Sequence, residues 1–238
     1  MPVNSQRTLI TGGFVLSMDP QVGDLPAGDV LIEDGRIAAI APSNDADAER
    51  VDAAGTIVLP GFVDTHRHLW NTTLRGYLPD CTVPLYGAKV LGAVGSVIRP
   101  EDTEIGELLG ALDLLDSDFT PSLTARDVLE FATVDGAAAL GLDGKTGSLT
   151  VGKQADIIMI AAGQVNTIPM TDPVGTVVTQ AGRGNVDSVF VAGRPVKRHG
   201  ALLGTDLAWL RSRAEDLRDY ILGRTRQLPA WLPSPAPR

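Results

Sequence analysis

Residues 58–68, Val-Leu-Pro-Gly-Phe-Val-Asp-Thr-His-Arg-His, restrict the chain more than any other stretch, because several local preferences act there together. Val58 and Leu59 form an apolar lead-in, Pro60-Gly61 is a turn signal, and Phe62-Val63 read as the start of a buried strand. Alternation along a strand puts Asp64, His66 and His68 on one face, with Thr65 and Arg67 on the other. Two imidazoles about 7 Å apart on one strand face can converge on a single metal ion. The Asp64 carboxylate can steady them through hydrogen bonds.

The flanks read as two β-rich segments. Residues 7–18 hold two short apolar runs split by Gly12-Gly13, which predicts a hairpin or a bulge. Residues 29–33 and 36–40 are strand-like runs joined by Asp34-Gly35, a two-residue hairpin signal, and residues 56–59 add another. Late in the chain, residues 186–191 and 194–197 form a second hairpin through Ala192-Gly193. Between the two segments, residues 77–98 read as a loop with one short helical piece. Residues 100–116 read as a helix, with Pro100 at its start, acids in its first turn, and Ile105, Leu108, Leu109, Leu112 and Leu115 at helical spacing. A second helix begins at a capping box, Thr124 to Asp127, and stops at Gly141; Val128, Phe131, Ala132 and Ala139 are its expected buried side. Residues 205–227 give a last helix, with Leu207, Leu210, Ala214, Leu217 and Ile221 on one face, and residues 228–238 a Pro-rich tail.

Leu59-Pro60-Gly61-Phe62-Val63-Asp64-Thr65-His66-x-His68 resembles the first metal-binding strand of the amidohydrolase superfamily, in its cytosine-deaminase-like and chlorohydrolase-like branch. Gly147-x-Leu149 through Gly152, with Ala155-Asp156-Ile157-Ile158, is similar to the signature by which that family's chain leaves its barrel and re-joins a small β-sandwich. The resemblance implies an α/β fold: a discontinuous β-sandwich formed by residues 1–59 and 144–204, around a (β/α)8 metal-dependent hydrolase barrel. It implies zinc or iron held by His66 and His68, Asp64 behind them, Asn71 and Arg75 as substrate contacts, and hydrolysis of a C–N or C–Cl bond in a heterocyclic or amide substrate. Asp156 is expected to anchor backbone groups.

Counting narrows that expectation. Residues 60–143 number 84, whereas a (β/α)8 barrel takes about 250, so this segment reads as a truncated barrel remnant. In the resembled family the ligand set also includes a histidine from the fifth strand and an aspartate from the eighth. The chain has three histidines, and the third, His199, sits between Arg198 and Gly200 on an expected surface turn. Two functional readings follow: a metal-dependent hydrolase or deaminase, or an internally deleted, non-catalytic remnant acting as a scaffold or dimerising as a homo-oligomer through apolar surface that lost its neighbours.

A net charge of −9 and a pI near 4.7 argue against nucleic acid or an anionic membrane as partner. A single cysteine, Cys81, excludes an intrachain disulfide and a Cys-x-x-Cys site. With no basic-then-apolar leader and no apolar run of about 20 residues, the expected setting is cytoplasmic.

Overall fold

The computed structural model describes residues 7–65, 82–94 and 124–225. Its strands, in chain order, are β1 (Arg7–Leu16), β2 (Asp24–Glu33), β3 (Arg36–Ala41), β4 (Glu49–Asp52), β5 (Thr56–Pro60), β6 (Ile157–Ala161), β7 (Val186–Val191), β8 (Arg194–Arg198) and β9 (Ala201–Leu202). The helices are α1 (Val83–Tyr86, continuing as a π-helical stretch Gly87–Val94), α2 (Ala125–Glu130, then π-helical Phe131–Asp135, then Gly136–Ala139), α3 (Pro173–Gly175 with Thr176–Gln180) and α4 (Leu207–Thr225). The chain divides into two compact units, residues 1–65 with 113–204, and residues 66–112 with 205–238.

In the first unit the described strands form one mixed sheet in the order β3-β2-β1-β5-β6-β7-β8-β9, with β4 also pairing β1. Sheet plus helices makes this an α/β arrangement. Gly12-Gly13 does not break β1 into a hairpin. It makes a bulge, with the register against β2 shifting between Ile10 and Gly13 and again between Gly13 and Val15. Both β4 and β5 run parallel to β1, and β5 pairs antiparallel with β6 from Thr56↔Ala161 to Pro60↔Ile157. Strands from the two ends of the sequence therefore share one hydrogen-bonded ladder.

Alternation sorts the side chains of β5 onto two cores. Val58 joins Ile10, Val30, Ile32, Ile157, Met159 and Phe190. Ile57 and Leu59 join Leu16 and Ile160, where Leu129 of α2 and Val177 of α3 cover the opposite face. Each fully buried aliphatic side chain of this kind contributes about 1.5–3 kcal/mol, so β5 is held from both sides.

The two hairpin tips meet. Asp34-Gly35 and Ala192-Gly193 all have positive φ, as tight two-residue hairpins require. A Cβ on Gly35 would lie 2.7 Å from the Ala192 carbonyl oxygen, and one on Gly193 would lie 2.8 Å from the Gly35 Cα. Only glycine permits that approach at either tip. Ala192, in a left-handed conformation that is costly for a residue with a side chain, donates its N–H to Asp156 Oδ1 at 2.8 Å. The other carboxylate oxygen of Asp156 accepts from Thr146 Oγ1 at 2.9 Å. The anchoring role expected of Asp156 is thus observed.

Helix α2 begins as expected: the Asp127 N–H donates to Thr124 Oγ1 and the Thr124 N–H to Asp127 Oδ2. Its buried side is not the expected one. Leu129, Thr133, Gly136 and Ala137 are buried, while Phe131 is 52% exposed and Ala139 is exposed. Small residues let the helix sit close to its neighbours, and the Thr133 hydroxyl is satisfied by donating to the Leu129 carbonyl at 2.6 Å, so polarity did not exclude it from the interior.

In the second unit, α1 and α4 touch, burying Val90, Ala93, Leu217 and Ile221. Leu207, expected on the same face, is 62% exposed at the start of α4. Residues 100–116, expected to be helical, lie outside the described residues. Among the described residues no helix is long and apolar enough to cross a membrane.

Two outcomes test this packing. Asp156→Ala removes the acceptor for a strained N–H and should cost about 1–3 kcal/mol, read by urea denaturation, with Asp156→Asn recovering part of the loss. A second carboxylate, Asp19, joins the two sequence segments by accepting from Thr150 Oγ1 at 2.6 Å. That hydrogen bond, with the amides of Gln21 and Val22, holds its pKa below the ordinary carboxylate value against the opposing effect of burial. Its contribution is complete above the unfolded value of about 3.9 and is lost as pH falls through the lower folded value. Asp19→Asn should therefore lower stability at neutral pH and flatten its decline on acidification below about pH 4.

Candidate functional site

The sequence places the candidate metal ligands just beyond β5, and the structure shows how the chain leaves that strand. Pro60 still pairs with Ile157. The Gly61 N–H then donates to the Asp156 carbonyl, and the Val63 N–H to the Ala132 carbonyl of α2, each at 2.8 Å. The expected strand at residues 62–63 is absent: residues 61–65 are irregular. The reason is the identity of the partners, since one amide bonds to a loop carbonyl and the next to a helix carbonyl, leaving no strand ladder to join. Phe62 is 44% exposed, and Asp64 and Thr65 are exposed. His66, His68, Asn71 and Arg75 lie outside the described residues.

The elements that hold this exit are themselves tied down. Lys153 Nζ donates to Ser148 Oγ at 2.7 Å and to the Thr146 carbonyl at 3.2 Å, and Ser148 Oγ lies 2.8 Å from Thr150 Oγ1. Through Thr150 this network reaches Asp19. The loop carrying Asp156 is therefore fixed to the segment that follows β1, at Ser17 and Asp19. Neither the Ala132 carbonyl nor the close approach of Gly136 to Val63 was evident from residue type; a glycine inside a helix pattern was the one available signal.

His199 follows β8 on a left-handed turn with its side chain 77% exposed, Nδ1 lying 3.6 Å from Asp187 Oδ2. The sheet order puts β8 three strands from β5. The ladder puts Asp187, beside Val186, near the end at which β5 begins, because Val186 pairs with Ile160 and Ile160 with Ile57. His199 is thus remote from the exit at Gly61, on the solvated turn expected of it.

An open cleft of about 460 Å³ lies elsewhere in this unit, between β1 and the starts of α2 and α3. Its carboxylates already have partners. Asp24 is paired with Arg126, and Asp172 accepts from the Val174 and Gly175 amides. Among the described residues no group of three or more His, Cys, Asp or Glu side chains is placed to hold a metal.

Comparison with known proteins agrees with this reading of the fold. Residues 103–196 match the family model described as Amidohydrolase family. A 5'-deoxyadenosine deaminase of Methanosarcina acetivorans is 37% identical over 113 residues, covering 47% of this chain and 26% of that protein. A 5-methylthioadenosine/S-adenosylhomocysteine deaminase of Symbiobacterium thermophilum is 36% identical over 122 residues, covering 50% of this chain and 28% of that protein. The aligned part thus spans about a quarter of these relatives' own length. Among solved structures, an adenosine deaminase from Xanthomonas campestris with bound zinc superposes with a TM-score of 0.77 at 16% identity, covering 91% of this chain and 98% of that one. The chain is thus similar to the Amidohydrolase family over residues 103–196 and to deaminases over about half of its own length.

The placement of His199 gives a direct expectation. His199→Ala should leave metal uptake unchanged when bound zinc is measured after dialysis, since the residue lies away from the exit that carries His66 and His68.

Proposed function

We propose that this chain derives from a metal-dependent hydrolase of the deaminase type, directed at a non-peptide C–N bond of a small heterocyclic or amide substrate, and is inactive as this chain. It retains the first metal-binding segment of such an enzyme and lacks the remainder of the centre. The observation that carries this reading is the attachment of residues 58–68: β5 is buried on both faces, Gly61 and Val63 are anchored by backbone hydrogen bonds, and the two histidines follow within five residues of Val63. The names of the deaminase relatives support an exocyclic amine on a purine-like ring as the group attacked.

In this reading His66 and His68 hold zinc or iron, for which imidazole nitrogen is a suitable donor. Asp64 orients them, and Asn71 and Arg75 contact substrate. A bound divalent metal supplies Lewis acidity for hydrolysis at neutral pH. A catalytic zinc takes about three protein ligands. The sequence has no histidine between His68 and His199, so in this reading the pair lacks the family's later histidine ligand and holds the metal weakly. Residues 1–59 and 144–204 act as one composite domain, and residues 60–143 are the shortened remnant of a barrel. The β5–β6 ladder and the length of the intervening segment support that division.

The histidine count favours a second reading, in which the chain is a non-catalytic remnant that serves as a scaffold or dimerising module. Exposed Phe62 and Phe131 flank the histidine exit and offer apolar surface for such a role.

The test is to load the purified chain with zinc or iron, measure metal per chain, and assay ammonia release from adenosine-, cytosine-, guanine- and triazine-like compounds. Weak metal uptake that disappears in His66→Ala, with no ammonia above the uncatalysed rate, is the expected result. Turnover that depends on His66 would contradict the incomplete centre and establish a working deaminase. A wild-type chain that takes up no metal would leave only the scaffold reading.

A further inference from the structure

The sequence contains three Asp-Gly pairs, Asp34-Gly35, Asp135-Gly136 and Asp143-Gly144. In such a pair the aspartate side chain is open to attack by the glycine nitrogen, because glycine places no Cβ beside that nitrogen and leaves the backbone free to turn. All three aspartates are exposed, so the carboxyl group does not distinguish them. The glycine does. Asp34 and Gly35 both hold positive φ at the hairpin tip. A Cβ on Gly35 would lie 2.7 Å from the Ala192 carbonyl oxygen, and the Gly35 carbonyl accepts the Ala155 N–H at 2.9 Å. Asp135-Gly136 lies within α2, where Gly136 is buried and donates its N–H to the Thr133 carbonyl. Asp143-Gly144 has neither kind of restraint. Both residues are exposed, Gly144 is not among the left-handed glycines, and open space surrounds the position of its absent Cβ. They are the central residues of a turn closed by the Lys145 N–H, which donates to the Leu142 carbonyl at 2.7 Å. In a turn of that kind the nitrogen of the third residue, here Gly144, stays outside the closing bond.

We propose that Asp143-Gly144 is a self-modification site, at which the folded chain converts aspartate to isoaspartate while Asp34 and Asp135 are protected. The Gly144 nitrogen attacks Cγ of the protonated Asp143 carboxyl group. The Cγ–N bond forms, a Cγ–O bond breaks, and the hydroxyl leaves as water with the amide proton. Water then adds to the Asp143 main-chain carbonyl carbon of the cyclic imide, and the bond from that carbon to nitrogen breaks. The main chain now runs through Cγ and the α-carboxylate is free, so composition and charge are unchanged and no oxidant is consumed. Opening an exposed turn costs little, whereas freeing Gly35 or Gly136 means parting two packed hairpin tips or unwinding α2. The product carries an added methylene in the main chain between Leu142 and Lys145. The Lys145 carbonyl accepts the Gln154 N–H at 2.9 Å, so the change is felt by the loop that carries Asp156.

The experiment incubates the full chain in mildly acidic heavy-oxygen water, once folded and once in urea. Peptide mapping with electron-transfer fragmentation then measures isoaspartate, and the oxygen taken up on imide hydrolysis, at each of the three pairs. Folding should slow the reaction at Asp143 by less than about tenfold, and at Asp34 and Asp135 by more than that. Two variants check the chemistry, with circular dichroism confirming the fold. Asp143→Glu must close a larger ring and should remove the signal from this peptide. Gly144→Ala adds a Cβ into open space, so it should fold normally and slow the reaction in both states. Protection of Asp143 by about tenfold or more in the folded chain would overturn the proposal, as would isomerisation of Asp34 or Asp135 with less protection than that. Oxygen uptake by the same peptide in Asp143→Glu would place the reaction on another residue and overturn it as well.

Discussion

The pairing of β5 with β6 is the constraint on which the rest depends. It joins residues 56–60 to residues 157–161, segments far apart in sequence whose closure is costly in chain entropy. The cost is offset because β5 buries both faces, Val58 into one core and Ile57 and Leu59 into the other. Everything functional is referred to this ladder. Its last pair, Pro60 with Ile157, fixes where the chain departs, and the next residue of the returning segment's loop, Asp156, holds both Gly61 and the Ala192 turn.

What could be read from the sequence was carried by residues with sharp local preferences. Asp34-Gly35 and Ala192-Gly193 announced hairpins because few residue pairs accept positive φ in succession. Thr124 and Asp127 announced a helix start because their side chains satisfy amides that the helix cannot. Asp156 stood out as a carboxylate immediately before an apolar strand. These signals are local, and so they survive without knowledge of tertiary contacts.

The misreadings share a different cause. Phe131 and Ala132 looked like the inward side of α2, yet the helix turns Thr133, Gly136 and Ala137 inward, where Gly136 meets the Val63 backbone and Thr133 and Ala137 lie against Gly147. Phe62-Val63 looked like a strand because of residue type, but the hydrogen-bond partner available at Val63 is a helix carbonyl. In both places a backbone-to-backbone approach decided the outcome, and side-chain hydropathy does not encode it. His66, His68, Asn71 and Arg75 lie outside the described residues, so the proposed site stands on sequence, family likeness and the anchored exit at Gly61 and Val63.

The central claim is that a single chain supplies two imidazoles and no more to a metal held at this exit. X-ray absorption at the zinc edge of the zinc-loaded protein measures that directly. The account predicts about two imidazole nitrogens, from His66 and His68, with oxygen in the remaining positions. Three or four imidazoles, or a sulfur scatterer from Cys81, would contradict it.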